Sequence, residues 1–262
     1  MLAVKISPDG STTADLAAIR QALEWVVDHV ATCHIAAVNL SFAAGCVDKG
    51  DGAVALEDLY EELATLGVFV SAAAGNAYGP LAAQGISELA ASLYVAAVGS
   101  VWDSDAGPAT WRSGAADYTT APDRVASFSQ RGEGLDLLAP GADILNTRLG
   151  GGLVTKSGTS TAAPMVAAAA VLVREAADRA GVSLTPAEIR SILQRSAVAV
   201  TDGDDENDNV PNTGRTYERL NLKAAIDLAL ATKYRPPEVG TEILSPGVPR
   251  LRRLQQIGRA HV

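Results

Sequence analysis

Gly158-Thr159-Ser160-Thr161-Ala162-Ala163-Pro164-Met165-Val166-Ala167 joins a strand pattern to a helix pattern. A Gly-Thr turn delivers a serine to the first turn of a long Ala-rich helix, predicted over residues 160–180. Pro164 falls in its first turn or so, where a missing N–H is tolerated. The free N–H groups and the dipole of a helix start favour negative charge nearby. A nucleophilic serine needs that placement, and its own backbone N–H can help hold an oxyanion. A serine that merely caps an Ala-rich helix reads the same way, so a second signal is needed.

Working outward, short apolar runs alternate with helical periodicity. Ahead of the motif, Leu135–Leu138 and Ile144–Thr147 read as strands, and Gly150-Gly151-Gly152 as a tight turn before a strand at Leu153–Lys156. Buried strands are also predicted at Ala36–Leu40, Val68–Ala72 and Tyr94–Val98, with another at Met1–Ile6 ending in the turn Ser7-Pro8-Asp9-Gly10. Thr12 or Thr13 can cap a helix running to about Val30, whose buried face is Leu16, Ile19, Leu23, Val26, Val27 and Val30. Leu56, Leu59, Leu63 and Leu66 put a helix over residues 53–66, stopped by Gly67. Thr185-Pro186 with Glu188 is a capping-box helix start, and residues 221–231 form the last helix. Residues 102–124 are polar and turn-rich and read as an insertion loop. The alternation predicts an α/β fold with a mainly parallel sheet. Active sites in such sheets lie beyond the C-terminal strand ends, where Asn76 and Ser160 both fall.

Composition narrows the function. The 262 residues carry 21 basic and 30 acidic side chains, a net charge of −9, which argues against nucleic acid as a partner. Hydrophobic residues make up 48% and aromatics only 5%, so the core is built from Ala, Val and Leu. No uninterrupted apolar run reaches the roughly 18 residues needed to span a membrane. A nucleotide-binding α/β protein would need a Gly-rich loop after its first strand, and residues 7–13 hold one glycine. Cys33 and Cys46 cannot form a disulfide framework; they either pair with each other or stay free as small apolar side chains. No Cys/His spacing suggests a metal.

The second signal is Ala72-Ala73-Ala74-Gly75-Asn76, which ends a buried strand in a side-chain amide, a second donor for an oxyanion. With both segments in place, the sequence resembles the subtilisin-like serine proteases, the subtilases, over roughly residues 2–230. Val38-Asn39-Leu40-Ser41 is similar to the strand whose end lines the substrate cleft, and Ala74-Gly75-Asn76 to the oxyanion segment. Residues 94–100, 126–132 and 138–141 resemble framework motifs, 158–164 the nucleophile motif, and Arg219-Leu220-Asn221-Leu222 the start of the last helix. The resemblance implies a three-layer fold, lacking its first strands. It implies a serine-type endopeptidase with Ser160 as nucleophile and with Asn76 and the Ser160 N–H as oxyanion donors. Ser41, Phe42, Ala43, Ala44 and Gly45 would form one side of the substrate cleft, and Ala73, Ala74 and Gly75 the other. The implied partner is a polypeptide substrate, with no nucleic acid and no membrane. The implied location is extracellular or the cell envelope, although no signal peptide is read in the chain.

Departures from the family pattern are equally specific. Its Asp and His precede the serine in chain order, and neither the Asp-Thr/Ser-Gly nor the His-Gly-Thr-His segment occurs here. Of the three histidines, His29 lies late in a helix, His34 at the wrong end of a strand, and His261 in the tail. The chain is therefore expected to be an N-terminally truncated domain, inactive alone. The alternative is a pseudoprotease that holds peptides without cleaving them. Where the family has Leu-Gly-Gly after the cleft serine, Phe42-Ala43-Ala44 stands, followed by Gly45. No cofactor is required. Structural calcium occurs in the family, but the acidic run 202–209 lacks the calcium-loop pattern and reads as a solvated loop. Residues 1–232 form the partial peptidase domain, and 233–262 a Pro-rich basic tail. Its end, 257–262, reads as the translation of a sequencing-library adapter, ATC-GGA-AGA-GCA-CAC-GTC.

Overall fold

A computed structural model of the chain describes residues 1–8, 14–52, 54–79 and 83–231. The turn at Asp9-Gly10, the caps Thr12 and Thr13, and the tail from Lys233 lie outside these residues. The centre is a six-stranded sheet of order β1-β2-β3-β6-β11-β9. Its strands are β1 (Ala37–Leu40), β2 (Phe69–Ala73), β3 (Val95–Val101), β6 (Leu137–Pro140), β9 (Val198–Thr201) and β11 (Thr216–Arg219). All neighbours pair in parallel except β9, which runs antiparallel to β11.

Both faces of the sheet are covered, which explains the near-continuous apolar strands. Val70 and Ala72 of β2 and Val95 and Ala97 of β3 face α1 (Leu16–Cys33) and α2 (Val54–Thr65). The alternate residues Phe69, Ala73, Ala96 and Val98 face α3 (Thr159–Arg179), α4 (Pro186–Arg195) and α5 (Leu222–Leu230). The three layers expected from the resemblance are present. Helix α3 lies on β1, β2, β3 and β6 and touches α4 and α5. It is long and apolar enough to cross a membrane by length and composition, and half of that stretch is buried in the fold. Alanines at 162, 163, 169 and 170 let the helix approach the sheet closely.

Several local expectations need correction. Residues 1–8 contain no strand; they run along α1, where Ile6 packs on the core. Helix α1 starts at Leu16, because Asp15 accepts a hydrogen bond from the Ala18 N–H at 2.6 Å and caps it. Leu16 is exposed, while Ile19, Leu23 and Val26 form the buried stripe. Strand β1 is an edge strand, only partly buried, and Leu66 is exposed past the end of α2. Residues 102–124 are no simple loop. They hold β4 (Ala109–Thr110) and β5 (Ala116–Thr119), which form a small sheet with β10 (Asn207–Asp208). Its centre is Asp117, whose buried carboxylate accepts from the indoles of Trp102 and Trp111 and from the N–H and hydroxyl of Ser127. Four donors satisfy a carboxylate that meets no cation among the described residues.

The acidic run is also partly internal. Asp202 is fully buried and pairs with the fully buried Arg131. Thr213 donates twice to the other Asp202 oxygen, at 2.7 Å each. Arg131 further donates to the carbonyls of Ala126, Ser127 and Ser129 and lies 4.6 Å over the Tyr78 ring. A buried ion pair persists when its remaining donors and lone pairs are satisfied in this way. Asp204 and Asp205 are exposed, and with Glu206 they form an acidic cluster. The hairpin β7 (Ile144–Thr147) and β8 (Leu153–Lys156) turns at three glycines of positive φ, leading the chain into α3. Cys33 and Cys46 are both free and exposed.

Candidate functional site

The site lies at the C-terminal ends of β1 and β2, where the start of α3 meets them. Gly158 caps α3 without a side chain, so its first N–H groups look elsewhere for acceptors. Thr159 finds one in Asn76. Its N–H and its hydroxyl donate to Asn76 Oδ1 at 2.8 and 2.9 Å. The Thr159 hydroxyl in turn accepts from the Gly75 N–H at 3.1 Å. A backbone N–H can only donate, so this clasp fixes the amide orientation: the oxygen of Asn76 is used and Nδ2 is left over. Among the described residues nothing accepts from Asn76 Nδ2, and no acceptor takes the Ser160 N–H. Two donors therefore stand open on the two sides of Thr159.

Ser160 and Ser41 hold each other. The Ser160 hydroxyl donates to the Ser41 carbonyl at 3.1 Å, and the Ser41 hydroxyl to the Ser160 carbonyl at 2.7 Å. Asn39 Nδ2 donates to the Ser41 hydroxyl at 2.9 Å. The three residue sets named from the sequence, 41–45, 73–76 and 160, thus come together. Among the described residues no imidazole touches Ser160. His29 keeps its Nδ1 2.7 Å from the Trp25 carbonyl and stacks on that indole at 4.2 Å. His34 caps α1 in the left-handed conformation, before β1, whereas Ser41 follows β1.

The groove has two walls. Residues 41–45 continue from β1, with Ser41 and Phe42 half-buried and Ala43, Ala44 and Gly45 exposed. Ala73, Ala74 and Gly75 form the other and are buried, while Asn76 is exposed. Two cross-links that the sequence did not announce tie the walls together. The Ser87 N–H donates to the Ala74 carbonyl and the Glu88 N–H to the Ala44 carbonyl, at 2.7 and 2.8 Å. The Gln130 N–H donates to the Gly75 carbonyl at 2.9 Å, and its Nε2 to the Gly45 carbonyl at 3.3 Å. Gly75 has φ 116°, and a Cβ there would collide with the Gln130 side-chain amide, so glycine fits best. Hydrogen bonds between residues 13 to 85 positions apart leave no periodic mark in a sequence; the small residues Gly45, Gly75 and Ser87 are the available hint.

A serine at a helix start, backed by an amide-bearing strand end in a three-layer fold around a mainly parallel sheet, is the arrangement of the subtilisin-like fold. The chain belongs to the Subtilase family, whose model matches residues 1–218. It is 34% identical to Subtilisin-like protease 10 of Trichophyton verrucosum (strain HKI 0517) over 173 residues, 66% of this chain and 29% of that protein. It is 30% identical to Subtilisin Savinase of Lederbergia lenta over 200 residues, 76% of this chain and 61% of that protein. Among solved structures, the Prenylagaramide maturation protease PagA matches with a TM-score of 0.64 and 25% identity, covering 86% of this chain and 71% of that one. The Patellamide maturation protease PatA matches with a TM-score of 0.63 and 27% identity, covering 86% and 72%. The chain spans less than two thirds of the length of both curated relatives.

Proposed function

We propose that this chain carries the nucleophile and oxyanion donors of a serine-type endopeptidase acting on polypeptides. Ser160 would attack the peptide carbonyl and form the acyl-enzyme. Asn76 Nδ2 and the Ser160 N–H would hold the oxyanion. Residues 41–45 and 73–75 would flank the peptide. The observation that carries this reading is the Thr159–Asn76 clasp, which uses the amide oxygen and leaves its donor end open against Gly158, at the helix start that carries Ser160. The reaction in this reading requires no cofactor. An extracellular or cell-envelope setting goes with the subtilisin relatives.

The chain alone is silent in this reading. A serine hydroxyl ionises only with a base, and loss of a triad member lowers the rate by about 10⁴- to 10⁶-fold. The Ser160 proton goes instead to the Ser41 carbonyl. That hydrogen bond also favours the second reading, a groove that holds peptides without cutting them. A fluorophosphonate probe is expected to leave Ser160 unlabelled; labelling at Ser160 would show that a base is present and overturn the silence. The DNA upstream of Met1 separates the two readings. An in-frame Asp and His segment supports the endopeptidase, and a promoter with a true start codon supports the binding groove.

A further inference from the structure

Glu88 is the one charged side chain carried by the two cross-links between the groove walls. Its backbone is fixed by the bond to Ala44, while Ser87 exchanges two hydrogen bonds with Ala44, its hydroxyl accepting from the N–H at 2.9 Å and donating to the carbonyl at 3.1 Å. Its side chain lies along Gly45. A Cβ built on Gly45 would meet Glu88 Cγ and Cδ at 2.8 Å and collide with Oε1, so the carboxylate occupies the space that any other residue there would fill. Gly45 also has φ 66°, a second reason for glycine at this point of the wall. Glu88 is exposed, and among the described residues neither a cation nor a hydrogen-bond donor meets its carboxylate. Lys49, whose ammonium reaches the Ala90 carbonyl, is committed to Asp136 at 2.6 Å and to the carbonyls of Ala90 and Val95. Every other residue of the walls, 41–45 and 73–76, is uncharged.

We propose that the Glu88 carboxylate, held against Gly45 between the two walls, binds a lysine or arginine side chain of the peptide in the groove. The proposal rests on the polypeptide reading above and names the kind of polypeptide. A carboxylate with no internal partner offers its full charge to a cation, and an arginine can meet both oxygens. The chain's net −9 draws cationic peptides toward the groove and repels acidic ones.

The test uses the chain as it stands, since a silent serine lets binding be measured without turnover. Short alanine-rich peptides carrying one lysine, arginine, norleucine or glutamate are titrated against the ¹⁵N-labelled chain. Shifts at the amides of Ala44, Gly45, Ala74 and Gly75 locate the peptide. The lysine and arginine peptides are expected to bind about fivefold tighter than the norleucine peptide, the scale of a partly exposed ion pair. The advantage should fall with added salt and vanish in Glu88→Gln, an isosteric change at an exposed position. Binding at these amides with equal affinity for lysine and norleucine overturns the role of Glu88 and leaves the groove intact. A preference that survives Glu88→Gln overturns it as well. If no peptide moves these amides, the polypeptide reading falls and the Glu88 proposal with it.

Discussion

A buried carboxylate, Asp117, and a half-buried one, Asp208, lie in the same part of the molecule and are treated very differently. Asp117 receives four hydrogen bonds, while Asp208 receives one, from the Val210 N–H at 3.0 Å, and its Oδ2 is buried without a partner. Burial pushes the Asp208 carboxyl above the usual carboxylate range, and the nearby charges of Asp117 and Asp202 add to the rise while Arg131 and the Val210 bond oppose it. A carboxyl raised in the folded state binds protons more readily there than in the unfolded chain. Its charged form therefore costs stability above the folded value, and the cost disappears as pH falls below the unfolded value of about 3.9. Asp208→Asn is expected to raise the urea midpoint at neutral pH, with the gain shrinking to nothing in acid. A midpoint that is unchanged at pH 7 would show that water already satisfies the group.

At the scale of elements, legibility followed periodicity. Helices α1, α2, α3 and α4 and strands β2 and β3 carry long apolar patterns or cap signatures, and all were read to within a few residues. The box on α4 is complete: the Thr185 hydroxyl accepts from the Glu188 N–H at 3.3 Å, and the Thr185 N–H donates to Glu188 at 2.7 Å. Thr185→Ala is expected to cost about 1 kcal/mol, measured as a shift of the denaturation midpoint. A change confined to the noise would mean that the packing of Ile189, Ile192 and Leu193 alone holds the helix. Strands β4 and β5 leave no periodic mark because they lie in a polar, turn-rich stretch, and the burial of Asp117 comes from donors that the fold brings to it. The N-terminal apolar run was misread for the opposite reason. Its residues are strand-like, but among the described residues it pairs with no strand and lies along α1 instead. The serine and amide of the site were legible because family motifs carry them in sequence. Glu88 and Gln130 were not, since their partners are brought near only by the fold.

At the scale of the whole molecule, β1 is one edge of the sheet among the described residues. That strand is half-buried and has one neighbour, β2, so its outer backbone groups are open to pairing. The net charge of −9 holds copies apart, and salt screens that repulsion. Self-association is therefore expected to grow with protein concentration and to strengthen with salt. Sedimentation velocity reads this directly, and a mass independent of both variables would exclude pairing through β1.

Helix α3 gives the serine a different thermal history from the groove around it. Its buried residues, from Thr159 to Ala177, are locked against four strands and two helices. Such a segment lets go only when the whole domain does, whereas the exposed wall at 43–45 opens locally at far lower cost. On warming, the peptide's seat loosens while the hydroxyl stays where it was. Failure of the groove would come first as lost selectivity, well ahead of unfolding.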